Sequence, residues 1–199
     1  GGIALLVAAL LSVAQWMRLD ELESGRQLAF SAMNDNPSVY FRPMVVMDRL
    51  SAGAGVLVYL VAFLAFVGNW GLVKSLGKRG AEYVALVLLA AAGMHMMVIS
   101  SNLILLFMGL ETASIALYII AGFARVERNS DESALKYFLL GSFASALFLY
   151  GVALVYAGTG SVSIYGSGDV AAGSGSILQF FADKPVALLD TGVLLAGIA

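Results

Sequence analysis

Four stretches of this chain are long and apolar enough to dictate membrane-spanning helices: Leu50–Val73, Tyr83–Ile99, Leu103–Ala124 and Ala134–Tyr156. A helix needs about 20 apolar residues, at ~1.5 Å each, to cross a hydrocarbon core of ~30 Å, and each stretch fits the ~17–25 range. None alternates with the period of two that a membrane β-barrel strand requires. Two further apolar segments, Ile3–Met17 and Val186–Ala199, touch the ends of the sequence. The first residue is Gly and no basic region precedes the first segment, so it reads as a membrane helix and not a signal peptide. The chain as a whole reads as a piece of a longer polytopic protein. The expected fold class is all-α, a polytopic transmembrane helix bundle forming one domain over residues 1–199. Its about six helices fall near 1–17, 50–73, 83–99, 103–124, 134–156 and 186–199, the terminal two truncated, with outer loops at 18–49 and 158–185.

Composition removes most other classes of function. Hydrophobic residues make up 60% and charged residues 12%, half the ~25% charged load of soluble domains, so a soluble enzyme is excluded. With no Cys there is no thiolate-held iron–sulfur cluster, Cys zinc site or disulfide. One His cannot make a bis-His haem or a two-His metal site, and a net charge of −2 offers no field for nucleic acid. Basic residues concentrate in two short loops: Lys74, Lys78 and Arg79 between the second and third apolar runs, Arg125 and Arg128 after the fourth. The positive-inside rule puts both loops in the cytoplasm, and the turn Ser100–Asn102 then faces the other side with the two long loops. Within those, Ser38–Asp48 is rich in β-formers and predicts a short strand or hairpin, while Gly158–Gly175 is flexible by composition. The formal G-x-G-x-x-A at 166–171 follows no buried strand and opens no amphipathic helix, so it is not a dinucleotide site.

Ionisable residues inside apolar runs cost ~2.5–3.5 kcal/mol at mid-helix on insertion scales, which makes them functional candidates. Glu111 is the ninth residue of the 22-residue run Leu103–Ala124, within about 4 Å of its midpoint. Its helical face carries Ile104, Phe107, Met108, Ser114, Ile115 and Tyr118, and the hydroxyls of Ser114 and Tyr118 suit a protein- or water-facing surface. Apolar surroundings favour a neutral carboxyl and a nearby cation favours the anion, so a carboxylate balanced between them can load and release a proton. The alternative is a structural carboxyl bonded to a neighbouring helix. Lys136 lies three residues into the last complete run. Asn129 with Glu132 resembles a capping box, and Glu132 and Lys136 form an i,i+4 pair, so the alternative here is a lysine snorkelling to the interface. His95 suits a proton relay but reads first as a packed core histidine, and Glu82 beside Arg79 reads as interfacial. Gly141 and Ser145 have the small-xxx-small spacing of close helix packing.

These features reach a polytopic protein with a mid-membrane carboxylate that moves protons or cations. Three runs, Leu106–Tyr118, Glu132–Gly151 and Val152–Ser161, then resemble subunit N of bacterial NADH–quinone oxidoreductase, an antiporter-like membrane subunit of respiratory complex I. Outside 83–164 the similarity is weaker, though Met47-Asp-Arg-Leu resembles the family's entry into its third helix. The resemblance implies inverted helical repeats with sites near the bilayer midplane, this chain running from the second helix into the seventh. It implies that Glu111, Lys136 and, less centrally, Glu132 serve proton translocation, with a further lysine expected beyond Ala199. No cofactor is expected in this chain: NADH, FMN, iron–sulfur clusters and quinone fall to other subunits. The expected partners are other complex I membrane subunits and the lipid bilayer, with no nucleic acid. The expected location is the bacterial plasma (inner) membrane. The rival readings are a cation/proton antiporter subunit of the same superfamily and a purely structural membrane subunit.

Overall fold

The computed structural model describes residues 2–19, 26–27, 44–123, 128–164 and 176–183. Helices dominate them: α1 (Gly2–Leu19), α2 (Arg49–Gly68), a short α3 (Trp70–Ser75), α4 (Gly80–Val98), α5 (Leu103–Ala121), α6 (Arg128–Thr159) and a short α7 (Ile177–Asp183). Among the described residues, four helical segments are long and apolar enough to cross a membrane: Arg49–Gly68, Gly77–Val98, Leu103–Ala121 and Ser130–Thr159. Apolar side chains cover their outer faces, with Leu50 80%, Leu140 72% and Phe143 64% exposed. Water would not tolerate such a surface, and lipid or other membrane helices would.

The bundle has two centres of packing. In one, Leu5 of α1, Ala62 of α2 and Ala91 of α4 are buried together, with Val58, Tyr59, Phe63, Phe66 and Leu88 around them. In the other, α4 and α5 meet through glycine. A methyl on Gly93 would lie 2.5 Å from the Ala113 amide nitrogen, and one on Gly109 would lie 2.8 Å from the Gly93 carbonyl oxygen. Only hydrogen at both positions lets these two backbones touch. Gly109 and Ala113 carry the small-xxx-small spacing that matters for this contact. At Gly141 the predicted spacing serves a different fit, because a methyl there would collide with the Tyr118 hydroxyl.

One end of the bundle is laced by extended backbone. Two-residue strands β1 (Arg26–Gln27) and β2 (Met47–Asp48) pair antiparallel, and bridges join Val45 to Ser100 and Asn102 to Ser163. The Ser101 amide donates to the Met44 carbonyl at 2.9 Å and the Ile164 amide to the Ser101 carbonyl at 2.9 Å. The α4–α5 turn is thus held between the two long loops, as expected of segments on one side of the membrane. Asn102 caps α5, its side-chain oxygen accepting from the Ile104 amide at 2.8 Å.

Several boundaries differ from the sequence reading. The run 50–73 breaks at Asn69, whose side-chain amide donates to the Ala65 carbonyl at 2.8 Å, and α3 follows as a separate helix. The last complete helix starts at Arg128, not Ala134, so Asn129 lies inside it and does not cap it. Its 32 residues span about 48 Å, well beyond the ~30 Å hydrocarbon core. The loop 158–185 contains α7. Of the strand expected over 38–48, residues 44–48 are described and hold β2, which pairs with β1 from the first long loop, while 38–43 lie outside the described residues. The helix expected at 186–199 and the G-x-G-x-x-A at 166–171 lie outside the described residues.

Candidate functional site

Glu111 sits at the middle of α5, on the face turned toward α6. The face is fixed by aromatic contacts on either side of it. Phe107, one turn before, stacks on Phe148 with ring centroids 6.1 Å apart. Tyr118, two turns after, meets Tyr137 edge-on at 4.9 Å and Phe138 at 5.7 Å. Phe107, Glu111, Ser114 and Tyr118 follow the 4-3-4 spacing that lines one helical face. The opposite face of α5, Gly109 and Ala113, is pressed against α4. Tight packing behind and bulky rings to either side hold the carboxyl in place.

One carboxyl oxygen, Oε1 of Glu111, is buried with no hydrogen-bond partner. Leaving a buried acceptor unsatisfied costs about 1–3 kcal/mol, and more when it is charged. Few such atoms survive in a folded chain unless something else satisfies them, and here only one other is found among the described residues, Nδ1 of His95.

Lys136 and Glu132 are arranged differently. The Lys136 ammonium lies 2.5 Å from Glu132 Oε1, one turn away on α6, and the two side chains are 74% and 63% exposed. Among the described residues no ion pair joins Lys136 to Glu111. Lys136 neighbours Tyr137, which meets Tyr118, and Tyr118 stands seven residues, about 10 Å along α5, from Glu111. The structure brings Lys136 to Glu132 and keeps both away from Glu111.

At the bundle end that carries the basic loops, Arg79 lies over the Phe123 ring at 5.1 Å and Lys74 over Trp70 at 5.6 Å. Tyr83 packs edge-on against Phe123 at 5.5 Å. These aromatic–cation contacts suit a membrane interface. Glu82 is exposed in the first turn of α4. Among the described residues no group of three or more His, Cys, Asp or Glu could hold a metal ion.

Comparison with known proteins follows the same lines. The model of the family described as NADH:quinone oxidoreductase/Mrp antiporter, TM, matches residues 100–198, which include Glu111, Glu132 and Lys136. The chain belongs to this family. A curated relative, NADH-quinone oxidoreductase subunit N 2 of Koribacter versatilis, is 40% identical over 140 residues, 70% of this chain and 28% of the relative. A chain of respiratory complex I from Thermus thermophilus with bound aureothin superposes with a TM-score of 0.52 at 30% identity, covering 98% of this chain and 40% of that one. A chain of the membrane-bound sulfane sulfur reductase, an archaeal respiratory membrane complex, reaches 0.72 at 20% identity over 98% of this chain and 36% of its own, which shows a shared fold. This member of the oxidoreductase/antiporter family thus spans about a third of the length of such relatives.

The sequence reading missed two features of the site. The Gly93–Gly109 contact that backs Glu111 had a signal in the Gly109–Ala113 spacing. The orphaned nitrogen of His95 had none, because its surroundings come from α1 and α2.

Proposed function

We propose that this chain is part of subunit N of a bacterial NADH–quinone oxidoreductase, seated in the inner membrane among its other membrane subunits, and that it carries protons through Glu111. The observation behind this is the buried, unpartnered Oε1 at mid-span, in a chain of this family. Electron transfer from NADH to quinone takes place in other parts of the complex, and this chain supplies a protonatable group and its surroundings.

The chemistry at Glu111 is an exchange at one carboxyl oxygen. The carboxyl takes up a proton at Oε1, the buried oxygen that no donor among the described residues satisfies. When a cation approaches, the carboxylate is favoured and the proton leaves along polar groups or water. A unit charge at 4 Å and an effective dielectric of ~20 is worth about 4 kcal/mol, enough to drive the exchange in either direction. Quinone reduction elsewhere supplies the change of charge. The face around Glu111 offers hydroxyls for the onward step at Ser114 and Tyr118, the latter leading toward α6. Lys136 and Glu132 form the next charged group on that route: a proton or charge arriving at Tyr118 is met there by a pair that opens when Lys136 turns from Glu132.

The test is proton uptake per NADH oxidised in vesicles containing the assembled complex. Glu111→Gln keeps the shape and removes the titrating group, so pumping is expected to fall while NADH oxidation by an intact complex persists. Unchanged pumping would reduce Glu111 to a packing residue and leave the chain a structural subunit.

A further inference from the structure

The bundle end with the short basic loop carries an arrangement that Glu111 does not use. Residues 50–98 hold four charged side chains, Lys74, Lys78, Arg79 and Glu82, all within nine positions. The three cations are gathered by the backbone. A methyl at Gly80 would lie 2.6 Å from the Val73 carbonyl oxygen, so the start of α4 rests directly on α3. Lys74 and Arg79 adjoin the two residues that touch, and Lys78 lies between them, just after the turn that Gly77 makes at φ +57°. The Lys74 ammonium stands over Trp70, which meets Phe66 edge-on at 5.4 Å, and Arg79 stands over Phe123. Lys74 and Lys78 are exposed and Arg79 is half-buried. Glu82, exposed in the first turn of α4, offsets at most one of the three charges. From Trp70 an apolar stripe runs into the membrane. Leu57, Leu60, Leu64 and Val67 of α2 are exposed and follow the 3-4-3 spacing of one helical face. Trp70 and Lys74 extend that spacing by three and four. The backbone hydrogen bonds from Asn69 to Ala65 at 3.1 Å and from Val73 to Asn69 at 3.0 Å carry the helical course across the break. From Leu57 to Val67 the stripe is about 15 Å long, the depth of one leaflet of a ~30 Å hydrocarbon core.

We propose that this corner binds one anionic phospholipid, its phosphate on Lys74, Lys78 and Arg79 and an acyl chain along the stripe of α2. Each part of such a lipid meets a matching group. The guanidinium offers paired N–H donors to phosphate oxygens, and the two ammonium groups add point charge. A cation over a ring face keeps its N–H donors, so the contacts with Trp70 and Phe123 hold Lys74 and Arg79 in place without using them up. Trp70 stands between the cations and the stripe, at the headgroup level where an indole ring is favoured. The stripe gives the chain an apolar surface one leaflet deep. A soluble anion would use the cations and leave the stripe bare. A zwitterionic phospholipid would use the stripe, but its own ammonium would oppose the cluster. The anionic phospholipid uses both. This site stands independently of the role given to Glu111.

The assembled complex in phosphatidylcholine vesicles tests it, with photoactivatable phosphatidylglycerol titrated in and labelling of residues 57–82 read by mass spectrometry. Labelling of the wild type is expected to saturate at a low mole fraction and to exceed that given by photoactivatable phosphatidylcholine. Lys74→Gln or Lys78→Gln should each raise the half-saturating mole fraction about fivefold, the effect of one cation at an anionic surface. Lys74→Arg keeps the charge and should keep the wild-type value. Arg79→Gln also loses its contact with Phe123, so the two exposed lysines decide if that variant fails to assemble. Labelling that rises in proportion to mole fraction, and equally for both lipids, would mean bulk lipid contact only and would overturn the site. An absence of labelling would mean that a neighbouring protein covers this end, and would overturn it too. Loss of cluster labelling to added inorganic phosphate, with 57–67 unlabelled throughout, would mean a soluble-anion site and overturn the lipid. Glu111→Gln should bind the lipid as the wild type does, so failure here and failure of the Glu111 reading are separate results.

Discussion

The carboxylates of α5 and α6 face opposite circumstances. Glu132 lies on the surface, meets Lys136 at 2.5 Å and is satisfied within its own helix. Glu111 is pressed into the seam between α5 and α6 with a buried oxygen that nothing bonds. Two residues of the same type in one family domain thus carry very different free-energy costs. The exposed pair contributes at most ~0.2–0.5 kcal/mol, while the buried acceptor costs several times as much. Behind Glu111, Gly93 and Gly109 let α4 and α5 close against each other. The pair on α6 resembles what any surface helix uses.

The comparison can be broken most directly at its costly end. Glu111→Gln should lower pumping by about tenfold or more, some 1.4 kcal/mol or more in the barrier, with the complex still assembled, as read by proton uptake per NADH oxidised. Glu111→Asp, which keeps the acid but draws it back by one methylene, should retain more pumping than Gln. Gly93→Ala forces a methyl to 2.5 Å from the Ala113 nitrogen, where no flexible side chain can yield. It should destabilise the subunit by about 1–3 kcal/mol, measured as a lower midpoint of thermal disassembly. Gly141→Ala meets only the far end of Tyr118, which can swing away, so its cost should be about 1 kcal/mol, at the lower end of the same range. Lys136→Gln should change stability by no more than ~0.5 kcal/mol and reduce pumping several-fold less than Glu111→Gln. An equal loss of pumping in both variants would erase the distinction between the two regions.

Much of this was legible in the sequence because membrane helices are set by one variable, the length of apolar runs. The spans, the turn at Ser100–Asn102 and the mid-span place of Glu111 all follow from it. Boundaries that depend on anything else were displaced. The polar start of α6 reads as loop, yet a helix once begun extends through Ser130, Asp131 and Glu132 at little cost, because these residues can face water beyond the hydrocarbon. The break at Asn69 depends on a side chain turning back to the Ala65 carbonyl. The pairing of Gly93 with Gly109 could not be read at all from α4, where a lone glycine names no partner. His95 is the clearest case. Its sequence neighbours are apolar, so it reads as packed, and the groups around its ring, Ser12, Gly55 and Tyr59, are 36 to 83 positions away.

The account rests on Glu111 changing its protonation during turnover, and infrared difference spectroscopy of the assembled complex tests that directly. Spectra of wild type and Glu111→Gln are compared at rest and during NADH oxidation. A protonated-carboxyl band that rises or falls with turnover in the wild type and is missing in Glu111→Gln is the predicted result. A Glu111 band that stays the same while protons are pumped would contradict the account.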